Sequence, residues 1–240
     1  MFFDEHDRFL DTGTVFTARH RLNLRHEAIF DRNRDVLQGA RVLDIASHDG
    51  RWSYAALEAG AAHVVGVEAR GDVVDAARES VAAEGVDESR YDFVQGDIFD
   101  VMAEKKYDVD VVMCLGFLYH TYRHTELFSL IRACNPKHLL IDTTVAQSED
   151  PVLRLRRDRP ERAGQAVLDK YAWGKYSLVA RPSAPAVRMM VKAYGFEVEE
   201  EVDWPALIRE NRHLSEGRKQ ARVGDYRKGT RITLRARSTV

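Results

Sequence analysis

The sequence predicts an α/β fold with a doubly wound, mostly parallel sheet, and residues 41–68 carry most of that prediction. They read as an apolar strand, a small-residue turn, a helix and a second apolar strand that ends on a carboxylate. The runs 41–46 and 63–67 are aliphatic and β-branched without strict alternation, as expected of strands covered on both faces. Strand and helix patterns continue to alternate after them, which is the signature of one open sheet.

In chain order, residues 1–18 mix aromatic and charged side chains without a sustained period and read as an arm or lid. In 19–37, Leu22, Ile29, Phe30, Val36 and Leu37 can share one helix face, with Gly39 as the stop. The basic cluster Arg19, His20, Arg21, Arg25 and His26 reads as a solvated face of that helix. After the first strand, Asp49 is placed to cap a helix beginning near Gly50, with Trp52, Ala55, Ala56 and Ala59 at helical spacing and Gly60 ending it. A right-handed crossover then brings the turn 45–50 and Glu68 together at the carboxyl edge of the sheet, where doubly wound folds bind ligands. Val73, Val74, Ala77 and Val81 mark the next helix. Strands are expected at 91–94, 110–114 and 139–141, with a helix through Leu127, Leu130 and Ile131. A last helix spans 183–193, and 197–204 and 230–236 read as two alternating strands.

The composition is that of a soluble globular protein, 45% hydrophobic and 31% charged over 240 residues, and is read as a single domain covering 1–240. A net charge of −2 argues against a nucleic-acid coat or a membrane-surface protein as a whole. No apolar run approaches the roughly 18 residues of a membrane helix, and the acidic start does not suit a signal peptide. Cys114 and Cys134 have no metal or CxxC spacing, so buried thiols in a reducing cytoplasm are expected. Two stretches stand outside the repeating pattern, 146–182 and 205–228, with eight and seven basic residues. Insertions at a ligand edge carry specificity. The first also holds Tyr171, Trp173 and Tyr176, which suit either stacking on a sugar or base, or a small aromatic core within a solvated cap.

The turn 44–50 has the spacing of a dinucleotide fingerprint without its glycines. The alternating positions are Ala46, His48 and Gly50, and a bulky His48 argues against a pyrophosphate at the helix N-terminus. A ligand with a ribose for Glu68 and no phosphates would tolerate this loop. Here the chain resembles the class I S-adenosylmethionine-dependent methyltransferases. Their first motif is an acidic residue followed by alternating glycines, matched by Asp44, Ala46, His48 and Gly50. Their second ends a strand on Asp or Glu, matched by Glu68 followed by Ala69. Asp97 and Ile98 resemble the third motif, in which the Asp accepts from the adenine amino group and the aliphatic side chain packs on the ring. The run Leu115-Gly116-Phe117-Leu118-Tyr119-His120 resembles the fourth, which walls the methionine end; its LYH recurs in a branch that includes tRNA wobble-uridine carboxymethyltransferases. The resemblance implies a Rossmann-like seven-stranded sheet with helices on both faces and an antiparallel terminal pair. It also implies S-adenosylmethionine as cofactor, with a leading helix whose arginine can cover the cofactor carboxylate.

Methyl transfer from a sulfonium is an in-line displacement, so orientation and removal of the acceptor proton are the main tasks. His120, directly after the fourth motif, is the candidate base, although a helix-starting residue packed on the adenosyl site would look the same. Asp142, at the end of the following strand, is the candidate orienting partner or Mg²⁺ ligand, and Tyr119 the candidate wall of the sulfonium pocket. His124 lies one turn after His120 at a metal-like spacing with no third ligand evident. The expected activity is O-methylation of a hydroxylated small molecule, with a carbohydrate as partner, no membrane, and nucleic acid disfavoured. The SHDGRWS loop and LYHT segment resemble sugar O-methyltransferases that act on mannosides, which implies Mg²⁺ assistance and a homodimer. Other readings are a tRNA-modifying enzyme, suggested by LYH and the basic insertions, a small-molecule N- or O-methyltransferase, and a non-catalytic cofactor-binding module, since two motif glycines are missing.

Overall fold

The computed structural model describes residues 1–11, 18–160, 167–212 and 222–240. Helices α1 (Phe2–Glu5) and α2 (Arg8–Asp11) lead into α3 (Arg19–Ile29). Aromatic anchors hold this leading segment on the body: Phe3 and Phe9 are fully buried, the Phe3 amide donates to Asn23 Oδ1 at 2.8 Å, and Phe2 stacks on His26 at 4.1 Å. The expected helix over 19–37 is broken. Asn33 reaches back to donate to the Ile29 carbonyl at 2.9 Å, competing with the backbone ladder as short polar side chains do. A 3₁₀ turn, Asp31–Asn33, and α4 (Arg34–Leu37) follow. The basic cluster is not a solvated face either, since His20, Arg21, Arg25 and His26 are all buried.

The sheet then builds in the expected order. β1 (Arg41–Ile45), α5 (Arg51–Glu58), β2 (His63–Glu68), α6 (Gly71–Ala83), β3 (Tyr91–Gln95), α7 (Ile98–Glu104), β4 (Val111–Leu115), α8 (His124–Ala133) and β5 (His138–Thr144) alternate strand and helix. Strand residues point alternately to two faces. Val42, Val64, Val111 and Leu140 pack with α3, α5 and α6 on one face, and Leu43, Val67, Val112 and Ile141 with α7 and α8 on the other. That double burial is why these strands are continuously apolar.

Next come β6 (Leu153–Asp158), β7 (Ser177–Pro182), α9 (Ala184–Ala193), β8 (Phe196–Glu201), α10 (Trp204–Glu210), α11 (Gly224–Arg227) and β9 (Arg231–Ser238). The seven-stranded sheet has order β3-β2-β1-β4-β5-β9-β8, with β1 to β5 parallel and β9 antiparallel to both its neighbours. This is the Rossmann-like class I methyltransferase sheet. β8 stops short of Trp204 because Asp203 caps α10, accepting from the Ala206 amide at 2.9 Å, with Pro205 in the first turn. Strands β6 and β7 form a separate antiparallel pair inside the first insertion. That pair docks on the sheet edge through the Ala180 amide, which donates to the Thr121 carbonyl at 2.9 Å. Among the described residues no helix is long and apolar enough to cross a membrane.

Candidate active site

A cavity of about 560 Å³ opens at the carboxyl edge of the sheet, lined by residues from the β1–α5 turn, the ends of β2 and β4, the β3–α7 turn, α3, the first insertion and β9. The β1–α5 turn carries the most unusual backbone. Ala46, His48 and Gly50 all have left-handed φ, at 56°, 52° and 76°. The alternating-glycine conformation is therefore present although two of its glycines are not, and left-handed non-glycine residues persist only where surrounding contacts enforce them. The Ser47 amide donates to the Val67 carbonyl at 3.0 Å, which pins the turn to the sheet edge. At Gly50 a Cβ would lie 2.9 Å from the Phe93 ring and 3.1 Å from Ala77 Cβ, so this glycine is needed for space as well as for φ.

Asp44 lies beneath the turn, fully buried, and accepts from Ser53 Oγ at 2.7 Å. Burial pushes its carboxyl up to about 7; the Ser53 bond opposes the shift, and the charges of Glu68 and Asp49 add to it. Asp49 is not the expected helix cap. It pairs with Arg51, Nε to Oδ1 at 2.9 Å, and stands 3.3 Å from His48 Nδ1. Burial works against its charge, yet Arg51 and His48 hold it well below the usual carboxylate range. Gly50 takes the N-cap position of α5 instead.

At one end of the cavity stand two acids from neighbouring strands. Glu68 Oε1 accepts from the Arg70 amide at 3.1 Å and from Arg70 Nε at 3.4 Å. Asp97 caps α7, accepting from the Phe99 amide at 2.9 Å. Ala46, His48, Ala69, Ile98, Leu115, Gly116, Tyr119 and His120 line the same cavity; Asp44, Gly50 and Asp142 support it from behind and are not among its lining residues.

His120 ends the 3₁₀ turn Leu118–His120, and its partner is Asp158 on β6. The Nδ1 to Oδ2 distance is 2.8 Å, with both side chains largely buried. Asp142 therefore does not orient His120, which corrects the expectation from sequence. It is wholly buried between two arginines and two hydroxyls. Its Oδ1 accepts from Arg25 Nη2 at 2.8 Å and from Arg231 Nε at 2.8 Å and Nη2; its Oδ2 accepts from Tyr226 at 2.8 Å and Thr233 at 2.6 Å. Burial alone would raise this carboxyl, but the two guanidiniums hold it well below the usual range. An oxygen set already bonded to two cations does not fit a Mg²⁺ ligand. Among the described residues no group of three His, Cys, Asp or Glu could hold a metal, and the buried His124 spends its Nε2 on the Leu118 carbonyl at 2.8 Å.

Sequence reasoning missed Asp158 and Arg231. The signal for Asp158 was its place as the lone acid in Arg154-Leu155-Arg156-Arg157-Asp158-Arg159; nothing local marked Arg231, whose partner lies 89 residues away.

Residues 42–136 match the methyltransferase domain family. Among curated proteins the chain is similar to the ubiquinone biosynthesis O-methyltransferase of Neisseria meningitidis, 24% identical over 153 residues that cover 62% of each chain. The chain spans less than two thirds of the length of the curated relatives it matches. Among solved structures it resembles the 1,6-didemethyltoxoflavin-N1-methyltransferase of Burkholderia thailandensis with bound S-adenosylhomocysteine, at 17% identity and TM-score 0.56, covering 99% of this chain and 83% of that one. It also resembles the N-terminal domain of EvdMO1 in the presence of S-adenosylhomocysteine and D-fucose, at 16% identity and TM-score 0.58, covering 87% and 82%. These likenesses show the fold, that of the class I S-adenosylmethionine-dependent methyltransferases.

Proposed function

We propose that the protein transfers the methyl group of S-adenosylmethionine to a hydroxyl of a small carbohydrate-type acceptor, with His120 as general base. The observation that carries this reading is the His120–Asp158 pair on the wall of the cavity that also holds Glu68 and Asp97. The residues suit the cofactor. Glu68 offers a carboxylate to a ribose, Asp97 one to an adenine amino group, Ile98 and Phe99 an apolar wall, and the left-handed turn a surface with no side chain larger than Ala46 at its first position. S-adenosylmethionine, when bound, supplies a methyl already activated by its positive sulfur.

The chain's own task is then to hold the acceptor and take its proton. An ionised carboxylate only accepts, so Nδ1 of His120 carries its proton toward Asp158 and Nε2 keeps the lone pair. Nε2 receives the acceptor proton as the oxygen–methyl bond forms, and Asp158 steadies the imidazolium that results. Tyr119, with its ring centroid 4.3 Å from that of His120, presents an aromatic face next to the base, which favours a cationic centre. The carbohydrate class rests on the basic, aromatic first insertion at the cavity mouth, from which Asp169 and Val167 line the cavity while Tyr171 and Trp173 stand exposed. Incubation with methyl-labelled S-adenosylmethionine and a panel of mannosides and other sugars tests the proposal. Label is expected in a sugar with wild type and not with His120→Ala, and label in the His120→Ala product at the wild-type rate would overturn the base assignment.

A further inference from the structure

The far end of the cavity, beyond Tyr119, holds two arginines on one carboxylate. Arg25 and Arg231 both pair with Asp142, while the neighbouring Asp225 is engaged by Arg21 through two bonds of 2.6 and 2.8 Å. Arg25 is nine-tenths buried and its Nε has no hydrogen-bond partner. Its guanidinium lies over the Trp52 ring at 4.6 Å, and the side chain lines the cavity. Arg231 lines the cavity too: its Nη1 donates to the Thr144 hydroxyl at 3.2 Å and the Tyr119 hydroxyl at 3.4 Å, neutral partners that leave its charge to the shared Asp142. A buried cation that shares its carboxylate with a second cation lacks a counter-charge, and an unmet guanidinium donor is costly to bury.

We infer that Arg25 and Arg231 bind an anionic group, a carboxylate or phosphate, of the methyl acceptor, so that the acceptor is a sugar acid or sugar phosphate rather than a neutral glycoside. This rests on the function proposed above and names its substrate class. The position of Arg231 assigns the anion to the acceptor rather than to the cofactor. Glu68 ends β2 and Asp142 lies on β5, with β1 and β4 between them, a separation of roughly 14 Å at the usual strand spacing. A cofactor whose ribose is at Glu68 would have β1 and β4 to cross before it met Arg231 on β9, whereas Arg25, over Trp52 at the start of α5, is within reach of either molecule, so the two cofactors in the titration below separate the cases. An anion seated on Arg25 and Arg231 sits beside Tyr119, the neighbour of His120, which points a hydroxyl of the same molecule at the base.

Binding of mannose phosphate, mannuronate and methyl mannoside to the full-length protein tests this by calorimetry. Each is titrated once with S-adenosylhomocysteine bound and once with methylthioadenosine, which lacks the amino-acid tail. The charged sugars are expected to bind at least about tenfold tighter than the neutral one in both cases, as a charge-assisted pair allows. No preference with S-adenosylhomocysteine bound, or no sugar binding at all, overturns the inference. A preference seen only with methylthioadenosine overturns it too, because the arginines would then be holding the cofactor's carboxylate. Arg25→Gln is expected to bring the ratio close to one; should it fail to fold, Arg25→Lys is expected to lower the ratio, and an unchanged ratio in a folded variant overturns the assignment. Failure of S-adenosylhomocysteine itself to bind strikes the proposed function instead, so the two failures are distinct.

Discussion

His120 can act through one nitrogen, because Asp158 takes the other. Replacing His120 by Ala removes the proposed base, and turnover is expected to fall roughly 10²- to 10⁴-fold while S-adenosylhomocysteine affinity, measured by calorimetry, stays within about twofold. Asp158→Asn keeps the shape but reverses the polarity of the partner, so kcat is expected to fall with KM nearly constant, checked by steady-state kinetics. A parallel rise in KM would instead place Asp158 in acceptor binding. A second residue-scale consequence concerns Asp44. An unfolded aspartate titrates near 3.9, and burial raises the folded one to about 7. Its contribution to stability is therefore fully present below about pH 4 and is lost as the pH rises through about 7. Asp44→Asn is expected to remove that dependence, on the order of 2 to 3 kcal/mol between pH 5 and 8, read from urea unfolding at the two pH values.

At the scale of elements, the β1–α5 turn owes its shape to its surroundings rather than to its residues. Ala46→Gly should be neutral or stabilise by up to about 1 kcal/mol, because glycine adopts left-handed φ without the Cβ penalty. Gly50→Ala should cost about 1 to 3 kcal/mol, since a Cβ there meets both a positive φ and the Phe93 ring. Equilibrium unfolding of the two variants separates the cases, and equal destabilisation would contradict this view of the turn. The same elements show what sequence can carry. β1 to β5 are legible because burial on both faces leaves an unbroken apolar run. β6 is not, because its residues before Asp158 are exposed, so its Leu–Arg alternation reads as a charged insertion. The break after Ile29 depends on Asn33 folding back, a choice no periodicity reveals.

Across the whole molecule, a net charge of −2 conceals a cavity with acids at one end, Glu68 and Asp97, and arginines at the other. The acidic end was legible because each acid closes a strand within a local motif. The arginine end was not, because Asp142 gathers partners from α3, α11 and β9, distant in sequence and joined only by the antiparallel closure of the sheet. The same gathering makes Asp142 structural: Asp142→Asn leaves Arg25 and Arg231 buried without their carboxylate and is expected to cost roughly 3 to 5 kcal/mol, seen as a lowered Tm without a change of fold at low temperature. The most direct measurement on the molecule as a whole is calorimetric titration with S-adenosylhomocysteine. Saturable binding in the micromolar range is expected for wild type, weakened about tenfold or more in Glu68→Ala; a folded wild-type protein that takes up no S-adenosylhomocysteine would contradict the assignment of this cavity.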